Sequence, residues 1–103
     1  MFKFIVLIVL SLTSILAKAQ TVITGKIKDV KGRPVPGASI AVKDSYDGGT
    51  SDSTGNYRFR TNEKGDQTLL FTSIGYKLQE QKVNLSTSAI TINIVFKEEP
   101  NEL

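Results

Sequence analysis

Asp44, Asp47 and Asp52 fall in one polar stretch, residues 44–54, and carry the oxygen ligands that a calcium ion takes. Their spacing does not follow the alternating ligand positions of an EF-hand loop, and the glutamate that would close such a loop is missing. Turn chemistry accounts for the same residues, because an Asp side chain accepts backbone N–H bonds a few positions ahead. The expectation is three turn-organising carboxylates and no metal, with calcium at Asp44, Asp47 and Asp52 as the alternative. Tyr46 stands beside Asp47-Gly48-Gly49 and is the tyrosine expected in solvent, which makes it the candidate surface for a sugar ring. Tyr57 and Tyr76 are assigned to the core, each with a hydrogen-bonded hydroxyl.

The chain has neither histidine nor cysteine, which removes the usual zinc ligands and most nucleophile–base pairs. Ser39, Ser45, Ser51, Ser53 and Ser73 have no base to activate them, so no catalytic residue and no cofactor is expected. Without cysteine there is no disulfide staple, and the fold must rest on hydrophobic burial alone. Lys26 and Lys28 make a basic stripe with Arg58 and Arg60, read as a solvated sheet face that discourages edge-to-edge pairing. Asn84-Leu85-Ser86 matches a glycosylation sequon, a motif short enough to arise by accident.

These residues need elements to position them, and the first part of the chain supplies none. After Lys3 comes an almost unbroken apolar run over residues 4–16, and Ala17-Lys18-Ala19 places small residues where a signal peptidase reads them. The run is short for a membrane span. Residues 1–19 are therefore predicted to be a cleaved signal peptide, with a retained anchor as the alternative. The exported domain starts at Gln20 and has no stable membrane span. The net charge of +3 falls close to neutrality once Lys3 and Lys18 are removed, which excludes a basic nucleic-acid-binding domain.

From there the chain reads as strands and turns. Residues 21–29 put Ile23, Gly25, Ile27 and Asp29 on one face. Lys31-Gly32-Arg33-Pro34-Val35-Pro36-Gly37 cannot continue a ladder, because proline lacks the donor; Val35 is expected to tuck inward. Ala38, Ile40 and Val42 share a face over 38–43, and Asp47-Gly48-Gly49 is a turn signal before a short strand near Thr50. Asp52-Ser53-Thr54-Gly55 reads as a tight turn in which Gly55 takes positive φ. It runs into a strand over 56–61, where Tyr57 and Phe59 alternate with Arg58 and Arg60.

A strand over 67–73 puts Leu69 and Phe71 on one face, the chain bends at Gly75, and a polar strand follows over 77–85. The last strand, 89–97, aligns Ile90, Ile92, Ile94 and Phe96. Residues 98–103 read as a charged, unfolded tail or linker. No segment holds a helical period, and turn signals recur about every ten residues. The fold class is all-β: an antiparallel, Greek-key-type, Ig-like sandwich of about seven strands over residues 20–97. The expected inward set is Ile23, Ile27, Ile40, Val42, Tyr57, Phe59, Leu69, Phe71, Ile90, Ile92, Ile94 and Phe96.

The succession Ile23-x-Gly25-x-Ile27-x-Asp29, Gly32-x-Pro34-x-Pro36-Gly37-Ala38-x-Ile40, Asp52-x-x-Gly55-x-Tyr57-x-Phe59 and Ser73-Ile74-Gly75-Tyr76 resembles the carboxypeptidase-regulatory-like domain, a transthyretin-like β-sandwich. The resemblance covers nearly all of 21–97 and implies that Gly25, Asp29, Gly32, Pro34, Gly37, Asp52, Gly55, Tyr57, Gly75 and Tyr76 are structural motif positions. The Ser-Ile-Gly-Tyr element is most similar to the version at the N-terminus of TonB-dependent outer-membrane receptors of Bacteroidota-type bacteria, including the starch-utilisation class. There the domain precedes a plug and a barrel, and residues 98–103 resemble the acidic linker before the plug. The resemblance implies a non-enzymatic accessory module in the periplasm or at the outer membrane, with a protein partner: a receptor or another envelope component. A freestanding module and a truncated receptor are both compatible with it. The alternative is a freestanding secreted module that binds carbohydrate or calcium.

Overall fold

A computed structural model describes residues 19–99. Residues 1–18 and 100–103 lie outside the described residues, and with them nearly all of the expected signal peptide and most of the charged tail. The described residues form eight strands: β1 (Thr21–Asp29), β2 (Ser39–Val42), β3 (Gly48–Thr50), β4 (Asn56–Thr61), β5 (Asp66–Thr72), β6 (Gln79–Asn84), β7 (Ala89–Thr91) and β8 (Ile94–Phe96). One sheet has the order β4-β1-β7, with β8 pairing further along β1, and the other runs β3-β2-β5-β6. The class is the all-β sandwich that the strand pattern predicts. Among the described residues no helix is long and apolar enough to cross a membrane.

The period-2 pattern of each strand places its apolar residues between the sheets. β1 pairs antiparallel with β4, setting Ile23 opposite Phe59 and Gly25 opposite Tyr57. β2 pairs with β5 through Ile40–Phe71 and Val42–Leu69. Ile23, Ile27, Leu69, Phe71 and Phe96 are completely buried in one shared cluster, each contributing roughly 1.5–3 kcal/mol by leaving water. The Tyr57 ring meets Phe71 edge-on at 5.9 Å between centroids. Val35 is buried, as its place between two prolines predicts, and its N–H donates to the Ile27 carbonyl.

Several details differ from the sequence expectation. The segment expected as one strand over 89–97 forms two, and both run parallel to β1 rather than antiparallel. Alternation reports which face of a strand is buried; it does not report the neighbour or its direction. β6 ends in the second sheet, and the chain crosses to β7 in the first, where it lies alongside β1. The hairpin turn between β2 and β3 also lies earlier than Asp47-Gly48-Gly49. Asp44 takes the positive φ of 65°, and Gly48 and Gly49 belong to β3. These glycines serve close approach: a Cβ on Gly48 would sit 2.3 Å from the Ile40 carbonyl oxygen, and one on Gly49 would sit 3.3 Å from Phe59 Cβ.

The core list shifts at its margin. Ile90 and Ile92 are only partly buried, whereas Val83 and Leu85 join the cluster. The polar strand β6 thus carries its apolar residues inward at its far end, anchored where the Leu85 N–H donates to the Gly65 carbonyl at 2.8 Å. Pairing also runs two residues into the segment read as a tail: Glu98 bridges Tyr76, and the Glu99 N–H donates to the Gly75 carbonyl at 3.0 Å.

Candidate functional site

Two aspartates organise the loops at one end of β1. Asp29 is buried at the strand end, where Oδ1 accepts the N–H groups of Lys31 and Arg33 and Oδ2 accepts Arg33 Nε, all at 2.9 Å. The Arg33 backbone N–H, followed by its guanidinium and the Lys31 N–H, holds the Asp29 carboxyl below its ordinary value against the opposing effect of burial. Asp52 does the same for the next loop. Its Oδ1 accepts Thr54 Oγ1 at 2.7 Å, the Thr54 N–H at 2.9 Å and the Asn56 N–H at 3.0 Å. The Thr54 hydroxyl, then the two N–H groups, lower the Asp52 carboxyl. Gly55 closes this turn at φ 82° with its back to the Ile27 carbonyl, and the Gly55 carbonyl accepts the Ile27 N–H at 2.8 Å. Both carboxylates are spent on turn donors, the role their types and positions predict.

Gly25, Tyr57 and Ile92 form a second constellation. The Ile92 carbonyl leaves the β1 ladder and accepts the Tyr57 hydroxyl at 2.5 Å. It does so by occupying the space where a side chain on residue 25 would stand: a Cβ there would lie 1.8 Å from the Ile92 oxygen. The backbone donor this releases, the Lys26 N–H, is taken by Asn93 Oδ1 at 2.9 Å. This exchange separates β7 from β8. The register is unchanged across the gap, since Ile23 pairs with Ile90 and Ile27 with Ile94, so a turned peptide and not an inserted residue breaks the strand. Burial raises the Tyr57 hydroxyl far above its ordinary value, which keeps it a proton donor. Tyr76, half-buried after Gly75 at φ 87°, stacks on Phe96 with 5.2 Å between centroids.

The remaining candidates stay apart. Asp47 Oδ2 accepts the Thr61 hydroxyl at 2.6 Å, Asp44 is exposed in its turn, and Asp52 serves its own loop. Among the described residues no group of three or more acidic side chains is placed to hold a metal ion. Tyr46 is fully exposed at the β2–β3 hairpin and stacks on no other ring among the described residues. Gly32 and Gly37 take positive φ on either side of Pro34, which bridges to Lys28.

Sequence reasoning missed the role of Ser51. It is buried, its hydroxyl donating to the Val35 carbonyl at 2.7 Å and accepting the Ala38 N–H at 2.9 Å. Those partners lie 16 and 13 residues away, so no local signal separates it from exposed Ser53. Lys26, Lys28, Arg58 and Arg60 do share the outer face of the first sheet. An open depression on that face is lined by Lys26, Lys28, Asn93, Ile94 and Val95.

A family profile described as the CarboxypepD_reg-like domain matches residues 23–103. The chain is 33% identical over 101 residues, 96% of its length, to the TonB-dependent receptor SusC of Bacteroides thetaiotaomicron. It is 36% identical over 72 residues, 70% of its length, to the TonB-dependent receptor P3 of Formosa agariphila. It spans only 9% and 7% of the length of these relatives. Among solved structures it superposes on a chain of a type II cohesin–X-dockerin complex from Acetivibrio cellulolyticus. The TM-score is 0.62 at 16% identity, covering 74% of this chain and 56% of the other. Chlorocatechol 1,2-dioxygenase from Pseudomonas putida gives a TM-score of 0.61 at 14% identity over 77% of this chain and 60% of that one. At such identities the likeness is one of fold.

Proposed function

Because the chain belongs to the CarboxypepD_reg-like domain family, we propose that it is a non-enzymatic interaction module, exported and serving a TonB-dependent outer-membrane receptor from the periplasmic side. The observation that carries this reading is the match to TonB-dependent receptors over 96% and 70% of the chain. It is supported by what the motif residues do: Asp29, Asp52, Gly55, Tyr57 and Tyr76 are engaged in turns and core contacts, which frees the sheet faces and edges for a partner. Deleting residues 21–97 from the gene in its own bacterium, leaving the rest of the coding sequence in frame, tests the role. The expected result is slower growth on the nutrient of a TonB-dependent receptor whose barrel still reaches the outer membrane. Crosslinking the exported domain in intact cells should recover that receptor, identified by mass spectrometry. Unchanged growth together with no receptor among the crosslinked products would refute the proposal.

A further inference from the structure

β7 and β8 form the outer edge of the first sheet. The Ser88 carbonyl accepts the Val22 N–H at 2.9 Å, and the Ile92 N–H donates to the Thr24 carbonyl at 2.8 Å, so the even-numbered residues address β1. Strand alternation then turns the Thr91 N–H and C=O and the Asn93 C=O away from the sheet, while the Asn93 N–H follows the turned Ile92 peptide. Both residues are exposed, and these backbone groups have no partner among the described residues.

Soluble proteins protect such edges with charge, proline or a covering element. The edge strand β6 of the second sheet follows the rule with Glu80 and Lys82, and β4 carries Arg58 and Arg60 with β3 packed against it. The β7 end of this edge does not follow it, whereas the β8 end is partly covered: Gln79 Nε2 donates to the Val95 carbonyl at 3.3 Å and the Lys77 N–H to the Lys97 carbonyl at 3.0 Å. Residues 85–96 contain no charged residue, no proline and no glycine, and are rich in the β-branched types that favour strands. Of the cations expected to discourage edge pairing, Lys26 and Lys28 lie one strand further in, on β1, and Arg58 and Arg60 lie on β4, the opposite edge of this sheet. Lys28 stands beside Val95, which is 53% exposed, and Arg58 stands opposite Thr24. Among the described residues none of Lys26, Lys28, Arg58 and Arg60 forms a salt bridge.

We propose that the open part of this edge, residues 89–93, is a strand-addition site for an extended acidic segment of a partner polypeptide, an inference that rests on the interaction role above. An added strand would lie about 5 Å outside β7 and about 10 Å from β1. Carboxylates at alternate positions would share the outer face with Lys26 and Lys28, which line a depression there with Asn93 and Val95. Arg58 and Arg60 add longer-range attraction that draws an acidic chain to this edge. Main-chain bonds to Thr91 and Asn93 supply the register, as in other strand additions. A second copy of this chain is a poor occupant, because pairing edge to edge would bring a second Lys26 and Lys28 towards the first pair.

The test uses ¹⁵N-labelled protein purified from the periplasm. Two synthetic peptides of about ten residues are titrated, one alternating valine with glutamate and the other valine with lysine. The glutamate peptide should shift the amides of Thr91 and Asn93 and bind at least about fivefold more tightly than the lysine peptide. Thr91→Pro removes one outward N–H and should weaken binding about fivefold, with the dispersed spectrum showing that the fold is kept. The double variant Lys26→Glu/Lys28→Glu leaves the backbone alone and should reverse the preference between the peptides. Equal binding of both, no binding at about 1 mM peptide, or edge shifts that grow with protein concentration alone would overturn the proposal. The receptor association can fail separately: crosslinking to the receptor that survives Thr91→Pro undiminished would keep that association and reject this edge.

Discussion

Replacing Gly25 by alanine adds one methyl group, and its position is set by the backbone of β1. The new Cβ would lie 1.8 Å from the Ile92 carbonyl oxygen and 2.7 Å from Tyr57 Cε1, where real Cβ contacts stay beyond 3.0 Å. The carbonyl must retreat by about 1 Å, and its place is held on the far side by the Tyr57 hydroxyl at 2.5 Å. Two costs follow. Crowding a packed site by one methyl costs about 1–3 kcal/mol. Losing the Tyr57 bond leaves a buried polar group unpaired at a further ~1–3 kcal/mol. The total of about 2–6 kcal/mol stands against a domain stability of about 4–12 kcal/mol for a unit of this size.

With a urea slope of about 1 kcal/mol per molar, the unfolding midpoint of Gly25→Ala should fall by roughly 2 M or more, followed by far-UV circular dichroism. Tyr57→Phe alone should cost about 1–3 kcal/mol. The double variant should cost less than the sum, because both changes act through one carbonyl. A Gly→Ala change at an unhindered strand position instead tends to stabilise by about 0.4–1 kcal/mol through the unfolded chain. An unchanged or raised midpoint for Gly25→Ala would therefore refute the assignment of the Ile92 carbonyl to that space.

Gly55→Val should destabilise far more than Ser53→Ala, because Gly55 combines φ 82° with a Cβ position 2.5 Å from the Ile27 oxygen, whereas Ser53 is exposed; equal urea midpoints would contradict this. The folded-state values of Asp29 and Asp52 lie below the ordinary 3.8. Their contribution to stability is therefore complete above that value and drains away as pH falls through it towards the lower folded values. Thermal midpoints measured from pH 6 downwards should drop below about pH 4, and the Asp29→Asn/Asp52→Asn variant should show a shallower drop. Calcium chloride should leave the thermal midpoint unchanged, since Asp44, Asp47 and Asp52 are not gathered into one ligand set among the described residues; a rise abolished by Asp47→Ala would restore the metal reading. Intact mass of the exported protein should begin at Gln20, and a membrane-bound species beginning at Met1 would contradict cleavage after Ala19.

Local chemistry was legible in the sequence. The bounds of β1 and β4, the positive φ of Gly55 and the turn-organising role of Asp29 and Asp52 depend on residues within a few positions of one another, and pattern and turn preference capture them. Burial of Ile23, Ile27, Tyr57 and Phe59 follows from alternation for the same reason. Only the tertiary structure decided what depends on neighbours distant in the chain. That the segment over 89–97 runs parallel to β1 depends on where the chain crosses between sheets. That it breaks at Ile92 depends on a carbonyl entering the space over Gly25 to reach a hydroxyl 35 residues away. Val83 and Leu85 enter the core at the end of a strand whose composition is polar, which its sequence pattern does not announce. The basic residues look like edge protection in the sequence, since nothing in their spacing says which strand is outermost. Sheet order puts Arg58 and Arg60 on the edge strand β4, sets Lys26 and Lys28 on the interior strand β1 and leaves Thr91 and Asn93 on the uncharged edge, because strand order is fixed by packing across the whole domain.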